Sequence, residues 1–119
     1  MENPYWNSTA ITVTWDDYGS FYDHVTPPPI DKYGLGFRLH AIIIPPCAKS
    51  GYIDHTQYRF ESIIKFIEWR FNIPSLTDRD RNANNILNAF DFNQKTHSTS
   101  YYHTFSYAVE FDKRTVLKL

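Results

Sequence analysis

The 119-residue chain has little of several features that mark particular classes of protein. It contains a single cysteine, Cys47, which excludes an internal disulfide. No apolar run approaches the length of a membrane span, and the first residues lack the basic and apolar regions of a secretory signal. We therefore expect no membrane span and, for the sequence as written, a cytoplasmic location.

An excess of charge of one sign is also missing. The net charge is −1 and no basic stripe stands out, so the sequence gives no indication of a nucleic-acid partner. The one charge cluster, Asp78 to Arg81, alternates in sign, and we expect it to be the solvated start of a helix.

Aromatic and apolar side chains, by contrast, are abundant. They make up 18% and 42% of the chain, which is too apolar for a disordered segment. The length fits one domain with one core. So many aromatic residues in a short chain indicate either a dense core or aromatic surface that something else covers.

Two segments have the composition of β-strands, and a long loop separates them. Residues Thr9 to Trp15 are rich in β-branched side chains, and apolar and polar residues alternate there from Ile11 onward. Residues Leu39 to Ile44 form a continuous apolar run that two prolines end. Such a run is typical of a strand buried on both faces, as in a parallel sheet covered by helices.

Residues Tyr58 to Phe71 have the spacing of an amphipathic helix, because their apolar residues fall on one face. These apolar residues are Phe60, Ile63, Ile64, Ile67 and Phe71. Thr56 is a plausible N-cap, and Asn72 followed by Pro74 provides a stop.

A second helix is predicted to begin at Thr77, where Asp80 three residues later makes a variant of a capping box. Ile86, Leu87 and Phe90 would give this helix an apolar side.

The end of the chain and the order of elements complete the fold prediction. Residues 93–100 are polar, and Tyr101 to Phe111 and Thr115 to Leu119 read as two strands of a β-hairpin. The order strand, loop, strand, helix, helix predicts an α/β fold. Two parallel strands do not make a stable sheet alone, so this pattern also suggests a fragment or a tight oligomer.

An adjacent pair of acids, Asp16 and Asp17, lies at the carboxyl end of the first predicted strand. Carboxylates this close repel each other, and a divalent cation with oxygen ligands is the simplest compensation. The alternative is that both are loop residues bonded to their own backbone, since Gly19 follows nearby. Spacing alone leaves the two interpretations nearly equal.

The longer stretch, residues 15–25, resembles a known signature, Asp-acid-x-Gly-Gly-Phe-Tyr-Asp-His-Val. This is the signature of the phosphoesterase family that includes bacterial phospholipases C and acid phosphatases. Other motifs similar to those of the family follow in the same order: Pro27-Pro28, Gly34 to Arg38, Ile42 to Gly51, His55 to Glu68, Leu76 to Asp80 and Phe90 to Phe92. The resemblance covers residues 5–92, about three-quarters of the chain.

This resemblance implies an alkaline-phosphatase-like α/β/α fold and phosphate ester cleavage through a Ser or Thr nucleophile beside a metal ion. Residues 1–92 would be the carboxy-terminal segment of such a domain, and residues 93–119 a polar linker and two-strand tail. By position, Asp16 and Asp17 would bind a divalent metal ion. His24 would either be an active-site histidine or brace the loop, with Asp23 beside it as an orienting partner. His55 is a weaker candidate, better explained as a packing residue.

The sequence also departs from the family pattern. Ser20 stands where the family has a second glycine, so a positive φ there would strain the turn. The family's Glu-Asn-x-Ser-Phe-Asp motif and its nucleophile are not found, so we expect the isolated chain to be inactive.

Two further hypotheses concern partners. A complementary amino-terminal phosphoesterase chain would restore a site for a phosphate ester or phospholipid headgroup. Alternatively, the chain is a non-enzymatic module that forms homo-oligomers through its aromatic tail.

Overall fold

The structure, a computed structural model, describes residues 4–17, 19–49 and 51–94, so the predicted carboxy-terminal hairpin lies outside the described residues. A short 3₁₀ helix, Trp6–Ser8, leads into strand β1, Ile11–Thr14, and a long irregular segment separates β1 from strand β2, Ala41–Ile44. Helices α1, Phe60–Phe71, and α2, Asp78–Arg81, follow, and then a second 3₁₀ helix, Ile86–Ala89. The mixed α/β class is confirmed. The alkaline-phosphatase-like layering and the division at residue 92 stay predictions.

The two strands form an antiparallel sheet in which Ile11 pairs with Ile44 and Val13 with Ile42. Both strands lie where the sequence predicts them, but the parallel arrangement is wrong. A parallel pair needs a long crossover, usually a helix, whereas the structure has no helix in the described residues between β1 and β2. Burial of β2 on both faces is wrong as well, because all its residues are only half-buried.

Helix α1 occupies the predicted segment, and its end is as expected. Asn72 adopts the left-handed conformation at φ 53°, and its amide donates to the carbonyls of the last turn. The predicted N-cap, Thr56, is wrong: Arg59 holds that position, and its amide donates to the Ser62 hydroxyl at 2.9 Å. Thr56 instead donates its amide to the carboxylate of Asp54 in a turn before the helix.

The burial of α1 is opposite to its apolar pattern. Four of the five apolar residues on the predicted face are at least 38% exposed, namely Phe60, Ile64, Ile67 and Phe71. The fully buried side of the helix carries Ser62 and Glu68 instead. Glu68 is satisfied there, because it accepts hydrogen bonds from the Ser75 hydroxyl and the Leu76 amide. We call the four exposed residues the apolar stripe of α1.

Helix α2 begins as predicted but ends early. The Thr77 hydroxyl accepts from the amides of Arg79 and Asp80, which is the expected N-cap. The helix stops at Arg81, so Ile86 and Leu87 belong to the second 3₁₀ helix and not to α2. The expectation of a solvated charge cluster is wrong for Asp80, which is 2% exposed.

The core lies between β2, α1 and the second 3₁₀ helix. Tyr58, Ile86 and Phe90 are buried together, and Cys47 and Phe66 pack against them. The rings of Phe66 and Phe90 stack with centroids 4.8 Å apart. Burial raises the pKa of the Cys47 thiol, as expected for a packing residue and not for a reactive thiol.

Candidate active site

The acid pair lies in a tight turn directly after β1. The turn closes through a hydrogen bond from the Gly19 amide to the Asp16 carbonyl, at 2.8 Å. Three of its residues have positive φ: Asp17 at 49°, Gly19 at 62° and Ser20 at 60°. The conditional expectation of strain at Ser20 is therefore met, because an L-residue in this region costs about 1–2 kcal/mol. Strained turns of this kind cluster at functional sites.

Gly19 is required in this turn for a second reason. A Cβ built there would lie 2.9 Å from Cδ1 of Trp15, closer than side chains normally approach. The chain therefore folds back over the Trp15 indole just after β1, and Asp16 and Asp17 occupy the first two positions of the turn.

Both carboxylates of the pair are exposed. The Asp16 carboxylate accepts a hydrogen bond from the Asp17 amide at 3.0 Å, which is the turn-forming role that the sequence left open. The loop interpretation is thus supported, and it does not exclude the other one, since each carboxylate keeps oxygens that face solvent.

The two acids fit a hard divalent cation in ligand type but not in ligand number. Ca²⁺ takes six to eight oxygen ligands and Mg²⁺ an octahedral set. Within the described part of the chain, no group of three or more His, Cys, Asp or Glu residues could hold a metal ion. The turn can therefore contribute two ligands to a site that other groups would have to complete.

Asp23, the predicted partner of His24, is bound to Arg38 instead. The guanidinium donates from Nε to Asp23 Oδ2 and from Nη2 to Oδ1, each at 2.7 Å. The amides of Arg38 and Val25 donate to the same two oxygens at 3.0 Å. The hydrogen bonds from Arg38 hold the pKa of the Asp23 carboxyl well below its usual range, although burial opposes them.

This ion pair joins two motifs of the resemblance, because Asp23 belongs to the acid-pair signature and Arg38 to the glycine-containing segment before β2. The Asp23 side chain is 9% exposed and that of Arg38 22%. The pair therefore closes the loop that carries His24 and connects it to the start of the next strand.

His24 itself is exposed, next to the buried carboxylate. In the residues that the structure describes, His24 and Asp23 share no hydrogen bond. His55 is exposed as well and lies just before α1. The structure thus places Asp16 and Asp17 on one turn and His24 on the loop that follows, and it gives Asp23 a partner other than the histidine.

Sequence reasoning missed a second charged centre, around Arg79. Its guanidinium donates to Glu61 at 2.6 Å, to Asp31 at 2.9 Å and to the Gly34 carbonyl at 3.2 Å. These contacts connect α2 to α1 and to the loop before β2. The only signal in the sequence was that Arg79 lies in the Leu-Thr-x-Arg-Asp motif, and its partners are distant along the chain.

Comparison with known proteins identifies a family. The model of the phosphoesterase family matches residues 1–74. Phospholipase C B of Mycobacterium tuberculosis is 32% identical over a region that covers 77% of the present chain. Non-hemolytic phospholipase C of Burkholderia pseudomallei is 28% identical over 73%, and non-specific phospholipase C6 of Arabidopsis thaliana 31% identical over 66%.

The extent of these matches is as informative as their identity. The aligned region spans 23%, 17% and 20% of the three relatives, so the chain corresponds to about a quarter of their length or less. None of the helices in the described residues is long and apolar enough to cross a membrane. With a family model that matches more than half of the chain, the protein belongs to the phosphoesterase family.

Proposed function

We propose that the chain contributes part of the active site of a metal-dependent phosphoesterase of the phospholipase C or acid phosphatase type. Asp16 and Asp17 would be ligands of a divalent metal ion. The observation that supports this most directly is the turn after β1, which exposes two adjacent carboxylates in a strained backbone. A bound divalent ion would supply charge stabilisation for a phosphoryl group and would activate an oxygen nucleophile.

His24 would act on the same substrate from the next loop. An exposed imidazole can donate a hydrogen bond to a phosphoryl oxygen or carry a proton. Asp23 would then be a positioning residue, since its carboxylate is occupied by Arg38 and two amides. The role of the pair would be to fix the loop relative to β2.

The chain would not be sufficient for catalysis, because the two acids would supply only part of a metal site and the Ser or Thr nucleophile that the resemblance implies is not among the matched motifs. The apolar stripe of α1 supports this proposal independently. An amphipathic helix normally packs its apolar side onto another element, and this one leaves that side in water. A complementary phosphoesterase segment that covers the stripe would also complete the metal site.

Metal binding by the turn can be tested with Mn²⁺, which broadens NMR signals near its site. We expect broadening of the amides of residues 15–20, with an affinity no tighter than about 1 mM because only two ligands are present. The Asp16→Asn/Asp17→Asn double variant should lose the broadening. Asp78→Asn, which removes an exposed acid from α2, should keep it. Equal broadening in the double variant would refute the metal role.

Insufficiency can be tested by hydrolysis of p-nitrophenyl phosphate and phosphatidylcholine with Mg²⁺, Ca²⁺, Mn²⁺ or Zn²⁺. We expect no turnover by the chain alone. Robust turnover that Asp17→Asn abolishes would show that the chain is an enzyme by itself, and the proposal of a partial site would be wrong.

A second candidate is a non-enzymatic module that forms homo-oligomers, and the apolar stripe favours it too, because a second copy could cover the stripe. Analytical ultracentrifugation at micromolar concentration separates the two. The homo-oligomeric module would be supported if the native chain is a dimer and if Ile64→Lys and Ile67→Lys each convert it to a monomer. A monomeric native chain would exclude the module.

A further inference from the structure

A cleft lined mostly by polar residues opens between the loop before β2, the start of α1 and the region around α2. Its volume is about 480 Å³, and its lining includes Gln57, Arg59, Asn82 and Asn84. This size falls within the range of small-molecule sites. None of these residues is one of the four candidate site residues.

Arg59 is the unusual member of the lining, because it is a buried cation, only 9% exposed. A guanidinium has five N–H donors, and within the described residues this one makes a single hydrogen bond, from Nη2 to the Arg79 carbonyl at 3.1 Å. None of the described carboxylates forms an ion pair with it. Among the described residues, the buried polar side-chain atom without a partner is Asn85 Oδ1, so the free nitrogens of Arg59 reach solvent and have capacity for an anionic partner.

The other charges of the cleft are already paired. Asp31 binds Arg79 at 2.9 Å, and Asp78 binds Arg81 at 2.6 Å. Both acids line the cleft and disfavour anion binding there. Arg81 offsets the charge of Asp78, whereas Arg79 is shared between Asp31 and Glu61 and offsets only part of their combined charge. Arg59 is therefore the cation in the cleft that is left to recognise a ligand.

We propose that this cleft binds a small organic phosphate that carries hydroxyl groups, with Arg59 contacting the phosphate. A planar guanidinium matches two phosphate oxygens at once. The amides of Asn82 and Asn84 suit the hydroxyl groups. Asn82 uses one N–H for the Asp78 carbonyl and Asn84 one for the Gln57 carbonyl, so each keeps a second N–H and its own carbonyl oxygen.

The probes for this site are inorganic phosphate and glycerol 3-phosphate, with glycerol as the uncharged comparison. Titration of the full chain, followed by NMR, should shift the amides of Gln57, Asn82 and Asn84. Affinity in the millimolar range is enough to be measured this way. Glycerol 3-phosphate should bind more tightly than phosphate, and glycerol should not bind.

Arg59→Gln should weaken the binding of glycerol 3-phosphate by about tenfold or more, since it removes charge-assisted hydrogen bonds. Arg70→Gln is the matched control. It removes the same charge from an exposed position of α1, where the guanidinium lies over the Phe71 ring. The affinity of Arg70→Gln for glycerol 3-phosphate should stay within about twofold of the native value, because exposed charges are screened by salt.

Three results would overturn the proposal: no binding of either phosphate in the native chain, shifts confined to residues away from the cleft, or equal loss of affinity in the two variants. If Arg59→Gln does not fold, Arg59→Lys serves instead. It keeps the charge but not the two-pronged geometry, so it should bind more weakly than the native chain. Unchanged affinity in a folded Arg59→Lys would contradict a role for the guanidinium fork.

Discussion

The ion pair between Asp23 and Arg38 makes the sharpest prediction of the structure, because one substitution removes its charge with almost no change of shape. In Asp23→Asn, one carboxylate oxygen becomes an NH₂ group. Two donors that now approach that oxygen, at 2.7 and 3.0 Å, would face another donor. The guanidinium of Arg38 would lose its counter-ion in a largely buried site.

We expect Asp23→Asn to lower the free energy of unfolding by about 2 kcal/mol. Breaking a fully buried pair costs about 3–5 kcal/mol, whereas an exposed pair contributes about 1 kcal/mol or less. The Asp23 side chain is 9% exposed and that of Arg38 22%, so solvent screens the cation in part and the cost lies between these limits.

Urea denaturation followed by circular dichroism measures this loss. Asp17→Asn is the matched control, because it makes the same chemical change at an exposed residue whose φ of 49° asparagine tolerates. The control should change stability by less than about 0.5 kcal/mol. If the two variants lose the same amount, the pair does not hold the loop as described.

The same pair predicts a pH dependence. The folded-state pKa of Asp23 lies below its unfolded value of about 3.9. Its contribution is therefore fully present above that value and is lost as the pH falls further. The stability difference between the native chain and Asp23→Asn should be constant from neutral pH down to about pH 5 and should shrink below about pH 4. A difference that grows on acidification would have the wrong sign.

Two further predictions concern packing. Gly19→Ala should cost about 2 kcal/mol, because its φ is 62° and the new methyl group would meet Trp15, whereas Gly36→Ala, with open space around it, should change stability by less than about 1 kcal/mol. Ile86→Ala should cost about 3 kcal/mol and Ile67→Ala less than 1, because their exposed fractions are 3% and 46%. Urea midpoints with an unchanged m-value would measure all four, and similar losses within either pair would contradict the described burial.

Local signals in the sequence predicted local structure well. Asn72 and the proline that follows ended α1 where expected, and Thr77 with Asp80 capped α2. Each of these features depends on side chains within four residues of the backbone that they bond. The strands were also located correctly, since β-branched composition is a property of the segment itself.

Long-range contacts were not predictable in the same way. The direction of β2 depends on the path of the loop before it, and the closure of that loop rests on a pair 15 residues apart, Asp23 and Arg38. Arg79 joins residues 18 and 48 positions away, Glu61 and Asp31. An alternating charge cluster read alone gives no sign of these partners, so it looks solvated.

In the candidate site, too, local features were predictable from the sequence and long-range partners were not. The acid pair was visible from its position after a strand, and its role as a pair of metal ligands stays a prediction. The partner of Asp23 was not visible, because an adjacent histidine is the simplest candidate in a sequence and Arg38 is nearby only in space. Nothing in the sequence singled out Arg59, because what distinguishes this residue is that it is buried without a carboxylate partner.

The apolar stripe of α1 connects the fold to the proposed function. Its spacing predicts packing, yet the structure buries Ser62 and Glu68 on the other side, where hydrogen bonds satisfy them. A helix that packs one side against the core and leaves its apolar stripe exposed is suited to lie between two layers, one of which is already present. Under the proposed function the turn after β1 has the same character, since its two carboxylates would supply two metal ligands where at least four are needed. An incomplete packing surface and an incomplete ligand set in one chain are explained together if a single additional segment completes both.

Covering the stripe should then be inseparable from metal affinity, so a phosphoesterase segment that binds α1 should tighten Mn²⁺ binding at Asp16 and Asp17. A partner that covers the stripe without changing Mn²⁺ affinity would show that the two surfaces are unrelated.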